Sequence, residues 1–417
     1  MVGQLGATTV AAVGLAGQIF FLLNLLIFGI GSGSAMFTAQ LWGKRDILNI
    51  RKVLGIALAL ALSSSMIFVV IAEFFPTLVL GIYSEDPQVI AIGSTYLRIF
   101  GFSFIFFAIS ATFSLILRSV GEVRLPVIVS ILALALNILL SYLLIFGKLG
   151  LPQLGANGAA VSILIARIIE CVLLISLTYF YKLPPAARLR EMFSFDPAFA
   201  GRVLKPVLPV ALNEILWSLG ITAYQVIYAH IGTNQVAAVN IATTITDLAV
   251  VAFLGIGNAT AILVGNMIGA GNNEASQIYA GRSLVISAFG GLLIGLIVLV
   301  ISPYILDLYK VSPIVIEYSK ALILVSCSFL WLRMMNLIQF LGVFRAGGDT
   351  RFALVLDGFI IWLVGVPLTA IGAFVFDLPI YLVYAITLSE EFVKWAIGLW
   401  RYFSKKWIHN LTDIVAT

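Results

Sequence analysis

Residues 5–13 read Leu5-Gly6-Ala7-Thr8-Thr9-Val10-Ala11-Ala12-Val13, and residues 231–239 read Ile231-Gly232-Thr233-Asn234-Gln235-Val236-Ala237-Ala238-Val239, an offset of 226. At the same offset Gly29-Ile30-Gly31 meets Gly255-Ile256-Gly257, and Gly43 meets Gly269. Farther on, Arg118-x-x-Gly121-Glu122-x-Arg124 meets Arg345-x-x-Gly348-Asp349-x-Arg351 at an offset of 227. These matches, in the same order at offsets of 226 and 227, identify an internal duplication, so one fold is built twice along the chain.

Composition says where that fold lives. The 417 residues are 61% hydrophobic and 10% charged. Soluble domains run about 45–50% apolar and about 25% charged, so too little polar surface is available to cover a soluble globule. One helical crossing of a bilayer takes ~20 apolar residues. Apolar runs between charged or Gly/Pro breaks predict eleven spans: 11–42, 53–80, 88–117, 125–147, 155–181, 203–231, 236–268, 283–307, 314–344, 352–376 and 378–400. The expected class is an all-α polytopic membrane protein. Six spans separate equivalent positions, so the two halves run the same way, related by an axis along the membrane normal.

Basic residues set the orientation. Alternate loops beginning with 43–52, together with the C-terminus, carry 17 of the 24 Lys and Arg, and the other loops carry 3. The rich side is expected to be cytoplasmic, with Met1 outside, in a multi-pass cell-membrane protein of the bacterial inner-membrane type. The net charge of +5 thus orients the chain and does not point to nucleic acid. Cys171 and Cys327 lie in apolar runs and His230 and His409 stand far apart, so no disulfide framework, metal motif or cofactor is expected. No phosphate loop and no catalytic set at one membrane depth is visible, so no enzyme is expected.

The repeat also predicts two bundles of six helices in which the first lacks most of its helix 1, because the counterpart of span 203–231 would precede Gly6. The expected divisions are an N-terminal bundle over 1–181, a cytoplasmic linker over 182–202, a C-terminal bundle over 203–401 and a cytoplasmic tail over 402–417. In the linker, Arg188 and Arg190 among Leu189, Met192 and Phe193 suggest a short segment at the membrane surface.

Charges at membrane depth cost ~2.5–3.5 kcal/mol each on insertion scales, so each needs a reason. Arg167 with Glu170 (i,i+3) and Glu390 with Lys394 (i,i+4) are placed to neutralise one another. Asp357, near Arg351, reads as an interfacial or helix-end residue. Glu214 and Asp247 have no basic residue within four positions. A lone buried carboxylate takes up a proton, and exchange of that proton, or of Na⁺ with Asn213 as a further oxygen ligand, would couple transport to an ion gradient. The other reading is a permanently protonated acid bonded between helices. Asn137 and Ser141, four apart on one helical face, and Ser162 on the next span read as polar contacts between helices.

These residues resemble the multidrug and toxic compound extrusion (MATE) family. The resemblance rests on Met1-Val-Gly-Gln-Leu-Gly6, Ala11-Ala-Val-Gly-Leu-Ala-Gly-Gln18, Arg118-Ser-Val-Gly121 and Asn137-Ile-Leu-Leu-Ser-Tyr-Leu-Leu-Ile-Phe-Gly147. It also rests on Gly155-Ala-Asn-Gly-Ala-Ala160, Arg167-Ile-Ile-Glu170, Leu208-Pro-Val-Ala-Leu-Asn-Glu214 and Val236-Ala-Ala-Val-Asn240. It implies a monomeric antiporter that exports small organic amphiphiles by alternating access, driven by H⁺ or Na⁺ and surrounded by membrane lipid. It implies a central cavity between the halves, lined by Gln18, Tyr224, Arg98 and Arg333. It implies cation coupling at Glu214, Asp247, Asn213, Asn137, Ser141 and Ser162, although the family's usual acid four residues after the Asn is here Ser141. The alternatives are a lipid-linked oligosaccharide flippase of the same superfamily, an inactive truncated transporter, and an intramembrane enzyme.

Overall fold

The computed structural model describes residues 1–416, and helices account for all the regular structure among them. Eleven long helices follow in order: α1 Ala7–Gly43, α2 Ile47–Phe74, α3 Pro87–Ser119, α4 Arg124–Phe146, α5 Ala156–Phe180, α6 Pro197–Ile231, α7 Thr233–Gly269, α8 Asn273–Leu306, α9 Pro313–Phe344, α10 Thr350–Phe374 and α11 Ile380–Phe403. The first ten are long and apolar enough to cross a membrane. The eleventh carries Glu390, Glu391 and Lys394 in its middle. Polar side chains start several of them by accepting orphan backbone N–H groups. Asp46 accepts from Asn49 N at 3.1 Å, Asp86 from Gln88 N at 2.8 Å and Asn272 from Ala275 N at 3.0 Å. The expected span 53–80 is two pieces, because Pro76 opens a new short helix, Pro76–Gly81, after the bend at Phe75.

The duplication seen in sequence is also one of backbone. Helices α1, α2, α3 and α4 begin at 7, 47, 87 and 124, and α7, α8, α9 and α10 begin at 233, 273, 313 and 350, each 226 later. The offset grows from 226 at Pro87 and Pro313 to 227 at Arg118 and Arg345. The added residue falls within α9, where Ile338–Phe344 are wound as wider π-helical turns. Helix α10 contains two more such stretches, Leu354–Phe359 and Ile361–Gly365. Wide turns of this kind tend to occur at functional positions.

Two compact units emerge, Met1–Thr38 with Asp46–Val203, and Ala39–Arg45 with Leu204 onward. The first is cored by Leu23 and Ile27 of α1, Leu97 and Phe104 of α3 and Ala160 of α5. Its linker segment forms one helical turn, Leu189–Met192. Met192 turns inward against Gly55 of α2, Arg51 Nη1 meets Glu191 Oε2 at 3.0 Å, and Leu189 and Phe193 stay exposed. The second unit is cored by Tyr228, Leu322 and Val383 at one level and by Ile338, Phe344 and Trp407 at another. The buried amide of Gln40 belongs to it, donating to Ala346 O at 2.8 Å and His409 O at 3.1 Å and accepting from Leu411 N at 2.7 Å.

Candidate functional site

One face of α11 concentrates the chemistry of the second unit. Thr387, Glu390, Lys394, Gly398 and Arg401 recur every three or four residues, the spacing that aligns side chains along a helix. Glu390 and Lys394 are 5% and 2% exposed. The Lys394 ammonium donates to Asp357 Oδ1 of α10 at 3.1 Å and to Glu390 Oε1 at 3.3 Å. Asn213 Nδ2 of α6 donates to Asp357 Oδ2 at 2.9 Å. Two carboxylates therefore share one ammonium. Glu391 adds a third acid beside them and is held by Asn336 Nδ2 at 2.7 Å. Negative charge outnumbers positive in a buried setting, where desolvation is expensive, so the cluster is built to attract a further cation.

The same face continues in both directions. Glu390 Oε2 and the Tyr224 hydroxyl converge on Gly365, where they face each other and interact. A Cβ at Gly365 would overlap that hydroxyl and stand 2.5 Å from the carboxylate oxygen, so only glycine admits both groups. On one side, Thr387 Oγ1 lies 2.6 Å from Tyr228 Oη and 3.1 Å from Thr369 Oγ1. On the other, Gln339 of α9 packs its side chain against Gly398, and Arg401 Nε donates to Asp349 Oδ2 at 2.7 Å.

The first unit holds a balanced counterpart. Arg167 Nη1 meets Glu170 Oε2 at 2.7 Å, and Ser130 Oγ donates to Glu170 Oε1 at 2.8 Å. At offset 227 Ser130 corresponds to Asp357 and Arg167 to Lys394. One acid here faces one base, so this network carries no excess carboxylate. A separate polar cluster links Ser141 Oγ to Asn137 Oδ1 at 3.3 Å and to Ser162 Oγ at 2.6 Å.

The MatE family profile matches residues 1–143 and 209–371, most of both halves. The chain belongs to the MatE family. It is thus a multi-pass membrane transporter. It is 23% identical over 415 residues to the probable multidrug resistance protein NorM of Thermotoga maritima, covering 97% of this chain and 87% of that one. It is 27% identical over 369 residues to the probable multidrug resistance protein YoeA of Bacillus subtilis, covering 87% and 79%. Among solved structures, a crystal structure of MATE in the bent conformation superposes with a TM-score of 0.88 at 21% identity, covering 100% of this chain and 91% of that one. An outward-facing multidrug resistance MATE family transporter gives 0.85 at 21% identity, covering 97% and 90%. The fold is the MATE fold.

Several expected site residues of this MatE chain have partners that a local reading could not see. Glu214 is not a lone carboxylate: Arg345, at the end of α9, places Nη2 2.6 Å from its Oε1. That guanidinium is already the cation at Glu214, so the ion-exchange role expected there does not follow. Asn213 points away from Glu214 and serves Asp357, leaving its own Oδ1 unpartnered. Asp357 is not a helix-end residue but the hub between α6, α10 and α11. Asp247 is exposed on α7 and lies in the field of Arg333, a half-buried residue of α9 that also acts on Tyr228. Of the expected cavity residues, Gln18 and Arg98 are exposed in the first unit, and Tyr224 is buried beside Glu390. Arg167 with Glu170 and Glu390 with Lys394 pair as their spacing requires. The repeat offers a signal for the missed hub: the residue aligned with Asp357 is Ser130, which bonds the Glu170 of the corresponding network. Among the described residues no group of three His, Cys, Asp or Glu is arranged to hold a metal ion.

Proposed function

We propose that this transporter exports small organic amphiphiles by alternating access in exchange for H⁺ or Na⁺. We place its coupling centre at Asp357, Glu390 and Lys394, with Asn213 and Tyr224 as positioning residues. The names of its relatives support the substrate class. The observation that carries the coupling is the sharing of one buried ammonium by the buried Glu390 and the partly buried Asp357. A cation arriving at Glu390 neutralises the excess charge and leaves Lys394 to Asp357 alone. Asp357 sits in a π-helical stretch of α10 and is tied to α6 by Asn213, so occupancy at Glu390 changes the bonding of three helices at once. One inward charge supplies ~2.3 kcal/mol per 100 mV, enough for about a fifty-fold gradient of an uncharged solute. The Lys/Arg-rich loops and the C-terminus lie on the cytoplasmic side in this reading, and the working unit is the monomer. Asn137, Ser141, Ser162 and Asp247 have no part in the coupling step. Glu214 with Arg345 is a structural pair.

The test is ethidium export in reconstituted vesicles under separately imposed H⁺ and Na⁺ gradients. Wild type should respond to one of them. Glu390→Gln, which removes the excess carboxylate while keeping its shape, should lose that response and still bind ethidium. Gradient-driven export by Glu390→Gln at the wild-type rate would refute the assignment.

A further inference from the structure

The face of α11 that carries the charge cluster runs past it toward Arg401, and its buried polar atoms are unusually often unpartnered. Asn213 Oδ1, Asn336 Oδ1 and both Oε1 and Nε2 of Gln339 are buried without a hydrogen-bond partner, and Tyr224 Oη has only the Glu390 carboxylate beside it. Buried polar atoms are nearly always satisfied, and clusters that are not call for an explanation, ordered water foremost. Gln339 is the extreme case, fully buried in the π-helical turns of α9 with neither end of its amide engaged. It reaches α11 only because position 398 is glycine, where a Cβ would collide with its Oε1. Lys394 and Gly398 are one turn apart, and so are Gly398 and Arg401. Beyond Gln339 the face surfaces at Arg401, Asp349 and the half-exposed His409, whose Nε2 lies 3.7 Å from Asp349 Oδ1. From Thr387 to Arg401 the face spans about 21 Å at 1.5 Å per residue.

We propose that this face of α11 is a hydrated proton path inside the second unit. It links Glu390 to the Asp349–Arg401–His409 end, with Gln339 as the positioning residue that bridges the stretch between Lys394 and Arg401. The inference rests on the coupling role of Glu390 and extends it by naming the ion and its route. A proton passes by exchange along hydrogen bonds. A Na⁺ ion would need several oxygen ligands at each step, and beside Gly398 the path offers only one amide oxygen. The groups facing Glu390 are Lys394 and Glu391 on its own helix, Asp357 on α10, and Tyr224 and Tyr228 on α6. Each step breaks one O–H or N–H bond at the donor and forms one at the acceptor, and no bond between heavy atoms changes.

The test is stopped-flow proton release from the purified full-length protein on addition of ethidium, in H₂O and D₂O. Gln339→Leu keeps the bulk and removes the amide. It should slow release about tenfold or more, as expected for loss of a positioned transfer step, with the amount released per chain unchanged and the solvent isotope effect increased. Gly398→Ala, which pushes the amide out of the path, should do the same and carries the test if Gln339→Leu does not assemble. Release at the wild-type rate in the assembled variants would overturn the path. So would slowing without any change in isotope effect, or coupling to Na⁺ in place of protons. Glu390→Gln separates the two ideas. If it abolishes release while the Gln339 and Gly398 variants match wild type, only the path fails. If it releases the full amount, the coupling centre fails and the path with it.

Discussion

Replacing Lys394 by methionine tests the charge cluster most severely. The ammonium is 2% exposed and donates at 3.1 and 3.3 Å to two carboxylates. Methionine fills a similar volume but leaves both acids without their cation. Removing one partner of a buried ion pair costs about 3–5 kcal/mol, chiefly because the other charge stays buried. Lys394→Met should therefore lower stability by at least that much. Lys394→Met combined with Asp357→Asn should recover a substantial part, since one of the two stranded charges is gone. Thermal unfolding in detergent, followed by a thiol-reactive dye, reads this directly, because Cys171 and Cys327 are free and buried and become reactive only on unfolding. Melting of Lys394→Met at the wild-type temperature would refute the cluster. A double variant less stable than Lys394→Met would refute the idea that stranded charge is the cause.

Other substitutions separate structure from coupling. Glu214→Gln removes the carboxylate charge 2.6 Å from Arg345 Nη2, so it should cost about 1.5–3 kcal/mol in thermal stability, while ion-driven ethidium export per folded molecule is retained; loss of coupling with normal stability would return the coupling role to Glu214. Gly365→Ala forces Tyr224 and Glu390 apart and should reduce export by the assembled protein, measured in the same vesicles. Ser162→Ala removes one hydroxyl contact and should cost about 1 kcal/mol with the ion dependence of export unaltered.

The positions of the long helices were legible because membrane helices are written as uninterrupted apolar runs, and the repeat gave four helix starts a common offset of 226. Helix beginnings outside the apolar core were not legible. Helix α8 starts at Asn273, ten residues before the apolar run at 283, because its first turns are polar and capped by Asn272. The bend at Phe75–Pro76 was hidden for the opposite reason, since apolar residues continue through it. Pairs on one helix were readable from their spacing. The partners that decide the site were not, since they come from far along the chain: Asn213 and Asp357 are 144 residues apart, and Glu214 finds its base at Arg345. Among neighbouring positions in sequence Glu214 stands alone and Asp357 is peripheral, and packing reverses both. The Gln339–Gly398 contact left no trace at all in composition or periodicity.

The central claim is that Glu390 carries the excess charge of a buried cluster and releases the cation that neutralises it when an exported compound binds. Counting the protons or Na⁺ ions released per chain when ethidium binds, in wild type and in Glu390→Gln, tests it most directly. The account predicts release from wild type and none from Glu390→Gln at equal ethidium occupancy. Equal release from both would contradict it.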